Sequence, residues 1–306
     1  MVQKRALITG INGQDGPYLA DILQKKGYHV TGVSRAEADL TDAFALESAI
    51  FKNEPDEIYN LAGQSSVSMS FKDPAGTENT TGIGAQRLLE ATRKYRDVSK
   101  KNVKFFQASS SEMFGNSPPP QDEQTPFDPQ SPYGKAKLYA YNQAVKYRKE
   151  YGLFVCSGIL FNHESPRRPE TFVTRKITMA VARIKVGLQD KLSVGNISIT
   201  RDWGYAPEYM EAAFLMMQHD KPDDYVIGTG IAHTIRDFIK VAFETVDIID
   251  FEKYIYVDPA LYRPSEVNQT LSNPRKAFEV LGWKAQKNFN ELVSLMVLSD
   301  LKNIHK

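Results

Sequence analysis

The sequence predicts an α/β protein whose parallel sheet is covered by helices on both faces, with a smaller domain interleaved towards the C-terminus. Over the first 160 residues, short apolar runs alternate with helical stretches, as is typical of parallel strands joined by crossover helices. A glycine-rich turn joins the first run to the first helix. Beyond residue 160 the alternation of strands and helices becomes less regular, because prolines at 166, 169, 207, 222, 259 and 264 separate shorter elements.

Each element follows from the spacing of its apolar residues. Short apolar runs predict strands at 5–9, 29–33, 57–62, 103–108 and 155–161. Helical spacing predicts helices at 17–26, 84–96, 133–150, 173–187, 207–218, 233–245 and 289–302. We therefore expect one domain built from 1–160 with part of 204–232, and a second built from 161–203 and 233–306.

The composition excludes several classes of protein. The 306 residues carry a formal net charge of +1, which argues against binding nucleic acid by bulk electrostatics. No stretch approaches the roughly 20 apolar residues of a membrane helix, and the N-terminus lacks a signal-peptide pattern. Cys156 is the single cysteine, and no metal-ligand spacing appears, so neither a disulfide framework nor a metal site is expected. We expect a cytoplasmic protein with a site for a small molecule.

The glycine-rich turn predicts a dinucleotide site. Gly10, Gly13 and Gly16 would let the backbone turn tightly and approach a pyrophosphate, and the following helix would present free N–H groups to the anion. Pro17 suits the first position of that helix. Since the turn lies between a strand and a helix at the start of the chain, it is typical of a Rossmann-type doubly wound fold. The predicted ligands in the turn are Gly10, Asn12, Gly13, Gln14, Asp15 and Gly16.

The end of the second strand bears on the choice of cofactor. Ser34 and Arg35 stand where an acidic residue would bind the free 2′-hydroxyl of NAD, and a guanidinium suits the 2′-phosphate of NADP. NADP is therefore favoured over NAD. Further residues are expected along the adenine and ribose: Asp39, Leu40, Leu61, Ala62 and Gly63.

The segment after Arg35 is unusually short. A doubly wound sheet normally has a helix and a further strand at this point, yet residues 38–42 (ADLTD) follow at once. Either the outer edge strand is absent, or a segment is missing from this sequence.

Two pairs of residues predict acid–base chemistry. Ser131 and Pro132 open a helix that places Tyr133 and Lys137 one turn apart on the same face. An ammonium near the phenol would lower the pKa of Tyr133, so that it could take a proton from a sugar hydroxyl while hydride leaves for a nicotinamide. Ser110 and Glu112 end the preceding strand and can face the same pocket. A second acid–base group such as Glu112 is needed only for removing a proton next to a ketone and expelling water.

With these residues the sequence resembles the extended short-chain dehydrogenase/reductase family and, within it, the GDP-mannose 4,6-dehydratases. The cofactor half carries the resemblance in TGINGQDGPYL (9–19), DEIYNLAGQS (56–65), ASSSEMFG (108–115) and SPYGKAKLYAY (131–141). The second half carries it in GILFNHESPRRPETFVTRKI (158–177), RDWG (201–204) and YRPSEV (262–267). Together these stretches span nearly the whole chain.

The resemblance implies a catalytic set of Ser110, Glu112, Tyr133 and Lys137, with serine at a position where these dehydratases commonly have threonine. It implies cofactor contacts beyond the turn at Ser65, Leu160, Asn162, His163 and Arg168. The implied substrate contacts are Asn162 at the diphosphate and, around the nucleotide sugar, Val173, Lys176, Gly195, Arg201, Arg263 and Glu266. Trp203 is expected to pack rather than react.

The resemblance also implies the reaction and the assembly. The expected activity is an NADP-dependent internal redox dehydration of a GDP-hexose, with GDP-mannose as substrate and a homodimer or homotetramer as the assembly. The family usually has an arginine-rich loop after the second strand. The absence of this loop here weakens the expectation of NADP over NAD and of a tetramer over a dimer. The alternatives are a dehydratase of a GDP-heptose, a reductase or epimerase of GDP-4-keto-6-deoxy sugars, and a protein that binds NADP without catalysis.

Overall fold

The computed structural model describes residues 3–262 and 265–304 of the 306-residue chain. Its strands are β1 Arg5–Thr9, β2 His29–Val33, β3 Glu57–Asn60, β4 Lys104–Ser110, β5 Phe154–Leu160, β6 Asn162–Glu164, β7 Leu192–Val194, β8 Thr200–Tyr205, β9 Asp224–Ile227, β10 Ala232–Thr234 and β11 Ile255–Val257. Its α-helices are α1 Asp15–Lys25, α2 Ala43–Asn53, α3 Val67–Lys72, α4 Pro74–Thr77, α5 Gly84–Ser99, α6 Pro132–Tyr151, α7 Val173–Lys185, α8 Ala206–Gln218, α9 Ile235–Glu244, α10 Arg275–Leu281 and α11 Phe289–Ile304.

The predicted doubly wound sheet is confirmed. Among the described residues, six strands form one sheet in the order β2-β1-β3-β4-β5-β9, and every neighbouring pair is parallel. The chain moves outward from β1 to β2, then crosses to the other side of β1 to form β3. This reversal beside β1 opens the crevice in which folds of this type bind their ligands.

The edge of the sheet lies at the short segment after Arg35. Within residues 3–262 and 265–304 no strand lies outside β2, so β2 is itself an edge strand. The chain continues from β2 into α2, where the Asp42 side chain accepts hydrogen bonds from the N–H groups of Phe44 and Ala45 and so begins the helix. Among the described residues the sheet therefore has no strand beyond β2.

Both faces of the sheet are covered because apolar side chains alternate along its strands. Ile8, Tyr59 and Phe106 are fully buried on the face that packs against α1 and α8. Ile58 and Phe105 are fully buried on the opposite face, which α2, α5 and α6 cover. Both faces of the sheet are thereby covered, and the carboxyl ends of its strands are left to carry a site.

The second half of the chain builds a separate core and also returns to the sheet. Helices α7, α9 and α11 pack around β7 and β8, with Trp203 buried against the rings of Phe238 and Phe289, as expected for a packing residue. Strands β10, β8 and β6 form a second sheet, in which β6 runs parallel to β8. Helix α8 and strand β9 then rejoin the main sheet. The proposed domain limits stay a prediction.

The element boundaries differ from prediction mainly at the turns. Helix α1 begins at Asp15 rather than Pro17, because the backbone at Gln14 already has helical dihedral angles (φ −59°, ψ −47°). Strand β3 ends at Asn60 rather than residue 62, since the chain leaves the sheet there to line the crevice. In the part of the chain that the structure describes, no helix is both long and apolar enough to cross a membrane.

Candidate active site

A cavity of about 930 Å³ opens at the carboxyl ends of the strands, between the main sheet and the second core. It brings together every predicted cofactor ligand: Gly10, Asn12, Gly13, Gln14, Asp15, Gly16, Arg35, Asp39, Leu40, Leu61, Ala62, Gly63, Ser65, Tyr133, Lys137, Leu160, Asn162, His163 and Arg168. It also includes the predicted substrate ligands Ser110, Glu112, Val173, Lys176, Gly195 and Arg201. Glu266 is not among the lining residues, and Arg263 lies outside the described residues.

Sequence reasoning missed a polar stretch of the wall that follows β3. Gln64, Ser66, Ser68 and Asp73 line the cavity beside the predicted Ser65. The signal that could have found them is their position, because the segment leaving the carboxyl end of a central strand borders the ligand crevice in this type of fold.

The glycine-rich turn is shaped for close approach. Gly10 has φ +76°, and a Cβ there would meet the backbone nitrogen of Ala62 at 2.8 Å. A Cβ on Gly16 would meet the carbonyl oxygen of Ile11 at 2.5 Å, so α1 packs directly on the turn. No side chain caps the start of α1, which leaves its first N–H groups as donors for an anion. This donor set fits the pyrophosphate of a dinucleotide.

A partly buried charged pair fixes this turn to the second half of the chain. His163 Nε2 lies 2.9 Å from Asp15 Oδ2, and its Nδ1 lies 2.8 Å from the carbonyl oxygen of Phe161. Both ring nitrogens therefore face acceptors, which only an imidazolium can satisfy with two N–H groups. The neighbouring Gln14 adds two more links, donating to the carbonyl of His163 and accepting from the hydroxyl of Ser165.

The pair shifts both pKa values in the direction that keeps it charged. Burial lowers the pKa of His163, but the charge and hydrogen bond of Asp15 outweigh it, so that the pKa of His163 is raised. Burial likewise opposes the ionisation of Asp15, and the charge of His163 nevertheless holds the pKa of Asp15 below its usual value. The pair thus places a fixed ionic contact at the start of α1.

We predict that His163→Gln lowers the free energy of unfolding most at mildly acidic to neutral pH. A raised histidine pKa contributes stability that is complete below the unfolded value of about 6.5 and is lost as pH rises through the folded value. The lowered pKa of Asp15 contributes stability that is lost only as pH falls below about 4. Urea unfolding of both proteins across this range measures the effect, and a difference independent of pH would contradict it.

The four predicted catalytic residues meet where β4 ends and α6 begins. Ser131 caps α6 by accepting from the N–H of Gly134 at 3.0 Å. A Cβ on Gly134 would meet the carbonyl oxygen of Glu112 at 2.5 Å, so this helix start is packed directly on the turn after β4. Tyr133 is 8% exposed and forms a hydrogen bond with Ser110. The phenol, the hydroxyl and the carboxylate therefore share one end of the cavity.

Lys137 lies one turn along α6 from Tyr133. Its Nζ donates to the carbonyl oxygen of Ala108 at 2.9 Å and lies 5.8 Å from the centre of the Tyr133 ring. Burial lowers the pKa of Lys137 to about 8. The ammonium is thus held by the end of β4, beneath the phenol rather than in contact with its oxygen.

The expected lowering of the tyrosine pKa is wrong for this cavity as it stands. Burial raises the pKa of Tyr133 to about 12, because the hydrogen bond with Ser110 only partly offsets desolvation and the charge of Glu112 adds to it. Lys137 does not reverse this effect, since its ammonium points to the carbonyl of Ala108. Tyr133 on its own is therefore a protonated phenol.

Glu112 differs from the other acidic residues around it. Among the described residues that line the cavity, the carboxylates of Asp15, Asp39, Asp73 and Glu164 each accept a hydrogen bond. No hydrogen-bond or ion-pair partner is found for the Glu112 carboxylate within residues 3–262 and 265–304. It is the cavity acid that is free to take a proton.

The second half of the chain contributes cationic side chains to the cavity wall. Arg168 lies 3.2 Å from the buried Glu164 and stacks 3.7 Å from the centre of the Phe172 ring. Arg201 is 5% exposed, and its guanidinium donates to the carbonyl oxygen of Thr200. Lys176 lines the same region from α7. Such a set can bind the phosphates of a nucleotide.

The comparisons with known proteins agree with this geometry. The family model described as GDP-mannose 4,6 dehydratase matches residues 34–296. The chain belongs to the GDP-mannose 4,6-dehydratase family. One member, GDP-mannose 4,6 dehydratase 2 of Arabidopsis thaliana, is 49% identical over 98% of this chain and 87% of its own length. That alignment runs over 327 positions, more than this chain's 306 residues, so the plant member contains segments without a counterpart here.

Solved structures place this member of the dehydratase family among related folds. A UDP-glucose 4-epimerase of Thermus thermophilus, solved with NAD, has a TM-score of 0.85 at 25% identity, covering 97% of this chain and 98% of the epimerase. The RMD protein of Pseudomonas aeruginosa, solved with NADPH, also has a TM-score of 0.85, at 24% identity over 98% of this chain and 100% of its own. Both share the fold of this dehydratase family member.

Proposed function

We propose that the chain converts GDP-mannose to GDP-4-keto-6-deoxy-mannose by internal hydride transfer and loss of water. The observation that carries this proposal is the meeting of Ser110, Glu112, Tyr133 and Lys137 at one end of a nucleotide-sized cavity. Simple oxidation and reduction would need the tyrosine and the lysine, but only elimination needs the unpartnered carboxylate of Glu112. Membership of the GDP-mannose 4,6-dehydratase family supports the same reaction.

We propose NADP as the nicotinamide cofactor, with NAD as the alternative. The uncapped start of α1 and the turn at Gly10 and Gly13 fit the pyrophosphate, and Arg35 lines the cavity at the end of β2. The solved structures of similar fold contain either NAD or NADPH, so they support the nicotinamide and leave the 2′-phosphate open. A nicotinamide cofactor bound here would supply the acceptor and donor for the hydride and would add positive charge near the phenol.

The protein's own groups would then handle the protons. Tyr133 would accept the proton of the 4-hydroxyl in its phenolate form, which Lys137 and the positive charge of the nicotinamide would stabilise, while Ser110 hydrogen-bonds the same oxygen. The new ketone acidifies the proton on carbon 5, which Glu112 removes as water leaves carbon 6. Asn162 and the cations Lys176 and Arg201 are proposed to hold the diphosphate and nucleotide. The dimer or tetramer and the cytoplasmic location stay predictions from the sequence.

The test is GDP-mannose with the protein and a catalytic amount of NADP. We expect a 4-keto-6-deoxy sugar to form in large excess over the cofactor, with no net NADPH produced, because the hydride returns to the sugar. A requirement for stoichiometric NADPH would identify a reductase instead. If product formed only from a GDP-heptose, the proposed reaction would stand and the proposed substrate would be wrong.

A further inference from the structure

Two carboxylates accept hydrogen bonds from the groups that would bind the 2′-phosphate of NADP. The backbone N–H and the hydroxyl of Ser34 both donate to Glu37 Oε2, at 2.7 and 2.8 Å. Next to it, Arg35 Nε donates to Asp39 Oδ2 at 2.7 Å, and Asp39 is fixed in turn by the N–H and hydroxyl of Thr41 at 2.8 Å each. The loop after β2 therefore engages both donors of Ser34 and the Nε–H group of Arg35 with its own carboxylates.

The two contacts have different consequences for a ligand. Ser34, Arg35 and Asp39 line the cavity, whereas Glu37 is exposed and lies at its edge through its hydrogen bonds with Ser34. The Arg35 side chain is 84% exposed and β2 is an edge strand, so Arg35 can turn towards a phosphate without breaking any packing. The donors of Ser34 become available to a phosphate only if Glu37 moves away.

We infer that Glu37 determines the cofactor preference of this chain by competing with the 2′-phosphate of NADP for Ser34. A phosphate beside the Glu37 carboxylate would bring two like charges to the same pair of donors, which disfavours NADP. A ribose 2′-hydroxyl can instead donate to that carboxylate, so NAD binds without displacing it. The preference of the chain for NADP is consequently weaker than Arg35 and Ser34 alone would give.

This inference rests on the proposed function only in that a dinucleotide occupies the cavity. It can be tested by binding alone, with NADPH and NADH titrations followed by nicotinamide fluorescence. The informative variant is Glu37→Gln, which keeps the length of the side chain and removes its charge. Glu47→Gln is the matched control, because Glu47 is a half-exposed carboxylate on the nearby α2, away from the cavity lining, and forms an ion pair with Lys94.

We expect Glu37→Gln to tighten NADPH binding about tenfold while changing NADH binding by less than about twofold, a shift equivalent to about 1.4 kcal/mol. Adding Ser34→Ala to Glu37→Gln should remove most of that gain, because the phosphate then loses the freed hydroxyl. A preference unchanged by Glu37→Gln, or shifted equally by Glu47→Gln, would overturn the inference.

Binding and turnover keep the two proposals separate. A shifted preference in a protein that forms no 4-keto-6-deoxy sugar would support the role of Glu37 and refute the proposed reaction. Full turnover of GDP-mannose with an unshifted preference would refute the role of Glu37 alone. A protein that binds neither NADPH nor NADH would refute both.

Discussion

Replacing Tyr133 by phenylalanine is expected to lower the kcat of dehydration by about 10²- to 10⁴-fold, the usual contribution of a positioned acid–base group. The ring is buried at the start of α6, and phenylalanine retains the ring while removing the hydroxyl that bonds Ser110. Cofactor binding should therefore change little. The first oxidation would lose its proton acceptor, so neither a ketone nor the final product would accumulate.

Steady-state rates with GDP-mannose, combined with cofactor titration, measure this effect. Tyr139→Phe is a suitable control, because Tyr139 lies on the same helix α6 and its hydroxyl donates to Gln86 at 2.5 Å, outside the residues that line the cavity. It should retain nearly full activity. If Tyr133→Phe kept more than about a tenth of the wild-type kcat, another group would have to accept the proton.

The sequence predicted the main sheet and the proximity of Ser110, Glu112, Tyr133 and Lys137 for a physical reason. Buried parallel strands are short continuous apolar runs, and the carboxyl ends of such strands meet at one edge. The position of Ser110 and Glu112 after one strand, and of Tyr133 and Lys137 on the following helix, was therefore enough to place all four at one site. No side-chain detail was needed for that inference.

Features that depend on side-chain geometry could not be predicted in the same way. The spacing of Tyr133 and Lys137 indicated an ammonium beside the phenol, but the ammonium is taken by the carbonyl of Ala108, and burial raises the tyrosine pKa instead. Arg35 indicated a phosphate ligand, yet its Nε is engaged by Asp39. In both cases a local acceptor competes for the cation, and the one-dimensional pattern does not reveal which acceptor prevails.

The absent outer strand shows a different limit. The short segment after Arg35 was compatible with a missing piece of sequence or with a smaller sheet, because both leave the same residues in order. The fold accommodates the smaller sheet, since Asp42 begins α2 soon after β2 and the chain still reaches β3 on the far side of β1. Sheet order follows from packing over the whole domain, which explains why the segment alone could not decide it.

Replacing Glu112 by glutamine should separate the two halves of the reaction. Tyr133 and Lys137 remain intact, so oxidation at carbon 4 proceeds. Removal of the carbon-5 proton should slow by about 10²- to 10⁴-fold, because the amide is not a base at neutral pH. The expected result is a burst of reduced-nicotinamide absorbance on mixing with GDP-mannose and NADP, followed by very slow formation of the deoxy sugar.

Glu112→Asp serves as the conservative control, since it retains a carboxylate at shorter reach and should recover part of the elimination rate. Loss of the burst itself would show that Glu112 acts before elimination, in binding or oxidation. Full activity of Glu112→Gln would require another base, but Asp15 is paired with His163 and Glu164 with Arg168. Because those carboxylates are already committed to ionic contacts, the free carboxylate of Glu112 makes elimination, rather than simple reduction, the chemistry of this site.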